Sequence, residues 1–349
     1  MPSLSRIRQF SPCAPCGALL PSLIFEAVSA HQANLVLPPV CGSIAERDGK
    51  PVPLGTTRFP VSRRCLAAVR LAQAMSLAML SIGAARAMLP ETVQFASADG
   101  GTTLTGYVFK PSGPAPYPAI VMLHGRSGLY SSLKRGIYSA ETLSMRHTMW
   151  GELWASRGYV ALLVDSFGPR GFPEGFPKHS YTRRPAEVSE ALVRPYDAYG
   201  ALGYLRARGD VVAGRVGVQG WSNGGMTVLS VMDTATRALK GAMPLNGFRA
   251  ALALYPSCRT QEKQAGYKPY APLLILSAAE DDEVSPRICR RFSDGARARG
   301  APVEFVLYEG AHHSYDDPGK TRQSHEPNRI AMLDSQRRAE AFFREHLGP

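Results

Sequence analysis

Short, continuous apolar runs recur along residues 88–349, and segments with helical spacing of apolar residues separate them. The runs predicted as strands are Thr92–Phe95, Thr103–Phe109, Pro118–Leu123, Tyr159–Val164, Arg215–Gln219, Ala250–Tyr255, Leu273–Ser277 and Val303–Tyr308. The segments predicted as helices are Ala191–Arg206, Met226–Asp233, Pro286–Arg299 and Arg329–His346. Apolar strands that alternate with helices are typical of an α/β fold, with a mainly parallel sheet and helices on both faces. In such sheets, functional residues lie at the carboxyl ends of the strands.

The first 87 residues follow a different pattern. Residues 1–60 are rich in Pro, Gly, Ser and Ala without a sustained period, which predicts an irregular leader. Residues 61–87 have the order of a secretory signal peptide, with basic Ser62-Arg63-Arg64, apolar Leu71–Ile82 and small residues at Ala85–Ala87. Because this signal starts far into the chain, we predict that translation begins near Val61 and that residues 1–60 are an over-extended start.

The segment 61–87 also predicts where the protein is located in or outside the cell. The apolar stretch Leu71–Ile82 is short for a membrane span, which needs about 20 residues, so no stable span is expected in the mature protein. The signal predicts export to the periplasm or the medium. The alternative is an amphipathic surface helix in a cytoplasmic protein.

Charge argues against a nucleic-acid partner. The chain has 40 Lys and Arg against 28 Asp and Glu, a formal net charge of +12, and half of that excess lies in residues 1–87. The long remainder is only mildly basic and contains no basic run or nucleic-acid-binding motif. A small-molecule partner is therefore favoured, and the sequence does not indicate an oligomeric state.

Only two cysteines, Cys258 and Cys289, follow the predicted signal. In an oxidising compartment, such a pair can form one disulfide. The alternative is two buried free thiols.

A glycine-rich turn directly follows the predicted strand Arg215–Gln219. Gly220-Trp221-Ser222-Asn223-Gly224-Gly225 contains G-x-S-x-G and leads into the helix Met226–Asp233. A tight strand-to-helix turn of this kind is a nucleophile elbow, which exposes the serine hydroxyl above the positive end of the helix. The sequence therefore predicts Ser222 as a nucleophile, against the alternative of a capping serine.

A serine nucleophile needs a base and a carboxylate that orients the base. In this architecture the order along the chain is serine, acid, histidine. An acidic loop, Glu280-Asp281-Asp282-Glu283, follows the strand Leu273–Ser277, and His312-His313 follows the last strand. The residues alone leave four candidate acids and two candidate bases.

Two backbone N–H groups are expected to bind the oxyanion. Asn223, the residue after the nucleophile, offers one, and the loop after Leu123 offers the other, from Arg126. The acid- and histidine-rich stretch 312–317 also resembles a metal site, but a triad accounts for it, and no cofactor or metal is expected.

These segments together resemble the dienelactone hydrolase family of the α/β-hydrolase superfamily. The motifs that carry the resemblance are Leu123-His124-Gly125, Asp165-Ser166 with Arg170-Gly171, Arg194–Ala198, Gly220–Gly225, the acidic loop before Pro286 and Ala311–Tyr315. The resemblance implies the α/β-hydrolase fold over 88–349, with His313 as the base and Asp282, four residues before a proline, as the acid. The family's namesakes use cysteine where this chain has Ser222, which favours a broader serine esterase over a dienelactone hydrolase.

Two long loops, about 126–150 and 166–190, are expected to overhang Ser222 and to carry the substrate-binding residues. The candidates are Tyr130 and Arg170 in these loops and Trp221 in the elbow, and Arg170 can equally be a structural ion-pair partner. The predicted function is a serine hydrolase that cleaves a small ester or lactone through an acyl-enzyme. The alternatives are an acyltransferase and an inactive binding protein on the same fold.

Overall fold

The structure is a computed structural model that describes residues 89–235, 247–264 and 266–348. The predicted leader (1–60) and signal peptide (61–87) lie outside the described residues. The described residues all belong to the segment predicted as the catalytic domain.

One sheet of eight strands forms the centre of this part of the chain. The strands are β1 (Glu91–Ala96), β2 (Thr103–Phe109), β3 (Tyr117–Leu123), β4 (Val160–Asp165), β5 (Val211–Trp221), β6 (Ala251–Leu254), β7 (Leu273–Ala278) and β8 (Val303–Tyr308). Their order is β1-β2-β4-β3-β5-β6-β7-β8. β1 and β2 pair antiparallel, as do β2 and β4, and the other neighbours are parallel.

Helices cover both faces of the sheet, because its strands are apolar on both sides. The helices are α1 (Met145–Ser156), α2 (Arg194–Arg206), α3 (Asn223–Met232), α4 (Arg259–Glu262), α5 (Pro286–Ala298), α6 (Lys320–Gln323) and α7 (Glu326–Leu347). Val121 and Leu162 point to the face that packs on α2, α3 and α5, whereas Ile120 and Leu163 point to the face that packs on α1 and α7. The predicted parallel sheet between two helical layers is confirmed.

Besides small shifts of helix ends, the elements differ from the sequence prediction at the start of β5 and in three unpredicted helices, α1, α4 and α6. β5 begins at Val211, earlier than predicted, because residues 212–215 are partly or fully exposed and so lack the continuous apolar pattern used to predict strands. Helix α1 was not predicted, and it begins within the expected loop 126–150 and continues to Ser156. Its sequence mixes His147, Gly151 and two buried tryptophans, and Gly151 packs directly against the ring of Phe109. No helix among the described residues is long and apolar enough to cross a bilayer.

A disulfide joins Cys258, at the start of α4, to Cys289 in α5. The S–S distance is 1.97 Å, and the two residues are 31 positions apart. Cross-links that close loops of this size typically contribute about 2–4 kcal/mol to the free energy of unfolding. The closed loop contains β7 and the acidic segment that follows it.

Candidate active site

Ser222 lies in the sharp turn between β5 and α3. Its backbone has φ 51° and ψ −111°, a left-handed conformation that is unusual for a residue other than glycine. The turn requires glycine at two positions, because a Cβ at Gly220 would lie 2.3 Å from Gly224 O, and one at Gly224 would lie 2.0 Å from Leu123 O. The predicted elbow geometry is therefore present at this position.

His313 lies beside the serine, in the loop after β8. Its Nε2 is 2.9 Å from Ser222 Oγ, and both side chains are almost fully buried. The ring of Tyr255, at the end of β6, packs edge-on against His313 at 4.8 Å between centroids. This contact and the serine leave the imidazole little freedom to rotate.

The acid that contacts His313 is Asp281 and not Asp282, which corrects the sequence prediction. Asp281 Oδ2 lies 2.7 Å from His313 Nδ1, and its Oδ1 accepts hydrogen bonds from the backbone N–H groups of Glu283 and Val284. The side chain of Asp281 is 1% exposed. Because Asp281 closes this turn with its own carboxylate, it points inward and the next residue points outward.

Asp282 accordingly lies at the surface. Its side chain is 66% exposed and forms an ion pair with Lys178 at 2.5 Å. The hydrogen bond from the Lys178 ammonium lowers the pKa of Asp282. Asp281, and not Asp282, is hydrogen-bonded to the imidazole. The family's spacing of four residues before a proline therefore selected the residue next to the one that contacts His313.

The two expected oxyanion donors belong to segments that meet at Ser222. Asn223 is the first residue of α3, where backbone N–H groups have no acceptor within the helix. Gly125 packs against the elbow, since a Cβ there would lie 3.4 Å from Trp221 O and 3.6 Å from Ser222 Cβ. Arg126 follows Gly125, so its backbone lies next to the elbow.

Buried arginine Arg194 fixes these segments relative to each other. Its guanidinium donates to the side-chain oxygen of Asn223 and, at 2.9 Å, to the carbonyl of His124. Burial lowers the pKa of Arg194 to about 10, with Asp197 opposing the shift, so the guanidinium remains protonated at neutral pH. Arg194 therefore ties the start of α3 to the start of the segment that follows β3.

The Arg126 side chain forms a bidentate ion pair with Glu283. Nε donates to Oε2 and Nη2 to Oε1, both at 2.8 Å, while Nη1 donates to the carbonyl of Phe176 at 3.1 Å. Glu283 Oε2 also lies 3.9 Å from His313 Nε2. In the sequence, Glu283 is only one of four possible acids, and no pattern there predicts this pair.

The three residues predicted to bind substrate have other partners. Arg170 forms a buried bidentate pair with Asp197, at 2.9 and 2.8 Å, which is the structural alternative raised above. Trp221 is fully buried. Tyr130 donates to Asp165 Oδ2 at 2.9 Å and lines a cavity of about 780 Å³ beside β1 and β2, which does not include Ser222. Each of the three polar groups is thus directed at a buried carboxylate, and their roles in substrate binding stay predictions.

Another buried carboxylate, Asp316, joins the elements around the site. Its Oδ2 accepts the indole N–H of Trp150 and that of Trp221, each at 2.8 Å. Its Oδ1 accepts a hydrogen bond from the hydroxyl of Tyr255 and lies 3.2 Å from Arg146 Nε. Asp316 is fully buried, and sequence reasoning missed its role. The only signal was an acid three residues after the histidine.

Metal binding finds no support in the described part of the chain. No three His, Cys, Asp or Glu side chains lie close enough together there to hold a metal ion. Within the acid- and histidine-rich stretch 312–317, His313 instead contacts Asp281, and Asp316 accepts a hydrogen bond from the indole of Trp150.

Comparison with known proteins places the chain in a family. The profile of the dienelactone hydrolase family matches residues 104–347, well over half of the chain. The quorum-quenching protein AidA of Acinetobacter baumannii is 29% identical over 170 residues, 48% of this chain and 48% of that protein. The match thus spans about half the length of this curated relative.

Solved structures share the fold at low sequence identity. Thermogutta terrifontis esterase 2 phosphorylated by paraoxon is 20% identical, with a TM-score of 0.52, over 76% of this chain and 97% of that one. The dienelactone hydrolase-like promiscuous phosphotriesterase P91 from metagenomic libraries is 18% identical, with a TM-score of 0.52, over 75% of this chain and 100% of that one. The chain thus belongs to the dienelactone hydrolase family, within the α/β-hydrolase superfamily.

Proposed function

We propose that the protein is a serine hydrolase that cleaves small carboxylic esters or lactones. One observation carries the proposal: an unbroken chain of contacts runs from Ser222 Oγ through His313 to Asp281, at 2.9 and 2.7 Å. The serine lies in a strained elbow and the carboxylate is buried, as activation of a weak hydroxyl nucleophile requires.

In the proposed mechanism His313 takes the proton of Ser222 as the oxygen attacks the ester carbonyl. Asp281 holds the imidazole by Nδ1 and stabilises the imidazolium that forms. The backbone N–H groups of Arg126 and Asn223 bind the oxyanion, and losing one such donor typically costs about 10²–10³-fold in kcat. His313 then protonates the leaving alcohol through Nε2, and water repeats these steps on the acyl-enzyme.

The relatives support both substrate classes. Thermogutta terrifontis esterase 2 is an esterase that paraoxon phosphorylates, and this likeness favours an ester as the substrate. The family to which this chain belongs is named for dienelactone hydrolases, and that name favours testing lactones beside linear esters. A serine nucleophile accepts either, because both present a carbonyl with an alkoxide leaving group.

Covalent labelling tests the nucleophile directly. A fluorophosphonate probe reacts with an activated serine, so we expect one label on Ser222, identified by mass spectrometry of the modified peptide. A Ser222→Ala variant should take up no label and should not hydrolyse p-nitrophenyl esters. Equal labelling or equal turnover in both proteins would refute the assignment. Unlabelled wild-type protein that transfers the acyl group of an ester to an added alcohol faster than to water would instead be an acyltransferase.

Export is part of the proposal, and the disulfide supports it. Disulfides persist in the periplasm and outside the cell and are rare in the cytosol. Intact-mass analysis of non-reduced protein from native cells should give a chain beginning near Met88 that gains about two mass units on reduction, one hydrogen for each sulfur of Cys258 and Cys289. A chain that retains residues 61–87, or one with two free thiols, would contradict this prediction.

A further inference from the structure

The Arg126–Glu283 pair lies on the reacting side of the histidine. Glu283 Oε2 is 3.9 Å from His313 Nε2, the nitrogen that faces Ser222 Oγ. Asp281 occupies the opposite nitrogen, Nδ1. The imidazole therefore has a carboxylate on each side, and only that of Asp281 is directly hydrogen-bonded to it.

The position of Glu283 places it next to the leaving alcohol. In the proposed mechanism Nε2 must come within hydrogen-bond distance of the leaving oxygen. A group 3.9 Å from Nε2 then borders the atoms attached to that oxygen. Glu283 therefore faces the alcohol portion of the substrate, whereas the N–H groups of Arg126 and Asn223 face the carbonyl oxygen.

Glu283 is ionised and keeps free acceptor positions. Burial raises the pKa of Glu283. The hydrogen bond from Arg126 and the charges of His313, Arg126 and Lys178 lower it by more, so the pKa lies below its ordinary value. A carboxylate has about four acceptor positions, and Arg126 takes one on each oxygen. The side chain is 11% exposed, so a group that binds the remaining positions is largely desolvated.

The guanidinium of Arg126, in contrast, is already paired with acceptors of the protein. Each of its three side-chain nitrogens donates to Glu283 or to the carbonyl of Phe176. An anionic alcohol group would meet a carboxylate next to Nε2 and a cation already paired with that carboxylate. A hydroxyl or ammonium group would meet free acceptors.

From this geometry we propose that Glu283 determines alcohol specificity, selecting alcohols that carry a hydrogen-bond donor near the ester oxygen and rejecting anionic alcohols. The inference rests on the proposed function and deepens it. It names hydroxylated or cationic alcohols, such as a polyol, as the substrate's leaving group.

Three acetate esters that differ only at the end of the alcohol test the proposal. They are propyl acetate, 2-hydroxyethyl acetate and carboxymethyl acetate, which carry a methyl, a hydroxyl and a carboxylate on similar chains. The readout is kcat/KM for each ester, expressed relative to propyl acetate, in the wild type and in Glu283→Gln. Comparing variants on the same ester cancels the differences in intrinsic reactivity.

Removing the charge of Glu283 should change both ratios in opposite directions. In Glu283→Gln we expect the ratio for carboxymethyl acetate to rise on the order of tenfold or more, since the repulsion disappears and Arg126 is left unneutralised. The ratio for 2-hydroxyethyl acetate should fall by about three- to tenfold, because a hydrogen bond to a charged acceptor becomes one to a neutral acceptor. Arg126→Gln should shift the carboxymethyl ratio the opposite way.

Asp282→Asn is the matched control, since it removes the same charge from the neighbouring, exposed residue, and its ratios should stay within about twofold of the wild type. Unchanged ratios in Glu283→Gln, with all three esters slowed equally, would overturn the specificity role and leave the pair as a support of the loop. Wild-type protein that labels with fluorophosphonate yet shows no preference among the esters would also overturn it. Absence of both label and hydrolysis would instead refute the proposed function itself, and the specificity role with it.

Discussion

Asp281→Asn is expected to lower kcat for a p-nitrophenyl ester by about 10⁴-fold, the loss typical when the triad carboxylate becomes an amide. The amide can donate to His313 Nδ1 and so favours the tautomer that cannot accept the serine proton at Nε2. It also removes the charge that stabilises the imidazolium. KM should change much less than kcat, because Asp281 is buried behind the histidine and does not face the substrate.

Asp282→Asn provides the contrast that makes this result specific. Asp282 is the adjacent residue, carries the same charge and differs chiefly in being exposed and paired with Lys178. We expect its kcat to stay within about threefold of wild type, since exposed ion pairs contribute little. If Asp282→Asn were the inactive variant and Asp281→Asn the active one, the arrangement of the acidic loop described above would be wrong.

Asp316→Asn is expected to lower the free energy of unfolding by about 3–5 kcal/mol, the usual effect of breaking a buried charge pair. Both Asp316 oxygens accept hydrogen bonds, from two indoles on one side and from Tyr255 on the other, beside Arg146. An amide presents only one oxygen. Its NH₂ group would face donors on the other side and leave them unsatisfied.

Urea unfolding of the two proteins measures this effect. Asp317→Asn is the control, because Asp317 contacts the same arginine at 3.1 Å but its side chain is 45% exposed, so it should cost less than about 1 kcal/mol. Two of the Asp316 partners adjoin the site, Trp221 before the nucleophile and Tyr255 against His313, so kcat should fall as well. An unchanged unfolding midpoint in Asp316→Asn would show that the cluster is not a significant stabilising element.

The sequence predicted what depends on short-range pattern. The sheet followed from continuous apolar strands, and the elbow at Ser222 followed from glycines that only a tight turn requires. The position after the last strand narrowed the base to His312 or His313, the family resemblance selected His313, and the structure places His313 against the serine. These features are encoded within a few residues of each other.

Features that depend on which way one side chain turns were not predictable. Asp281 and Asp282 have the same chemistry and adjacent positions, and only the two backbone N–H groups bound by Asp281 direct it inward. Arg170 is equally suited to a substrate carboxylate or to Asp197, which lies on a helix 27 residues further along. Asp316 acquires its role from partners in α1 and at the ends of β5 and β6, which no local pattern brings together.

The strand order also fixes when the enzyme becomes competent during its synthesis. From β5 to β8, each new strand pairs beside the previous one at the same growing edge of the sheet. Chains emerge from the ribosome with the amino terminus first, so the serine appears early, the acid follows after β7, and the histidine follows only after the outermost strand. Under the proposed mechanism, a nascent or truncated chain that ends before residue 313 carries an unactivated hydroxyl, and hydrolytic capacity arises only once the final strand has docked.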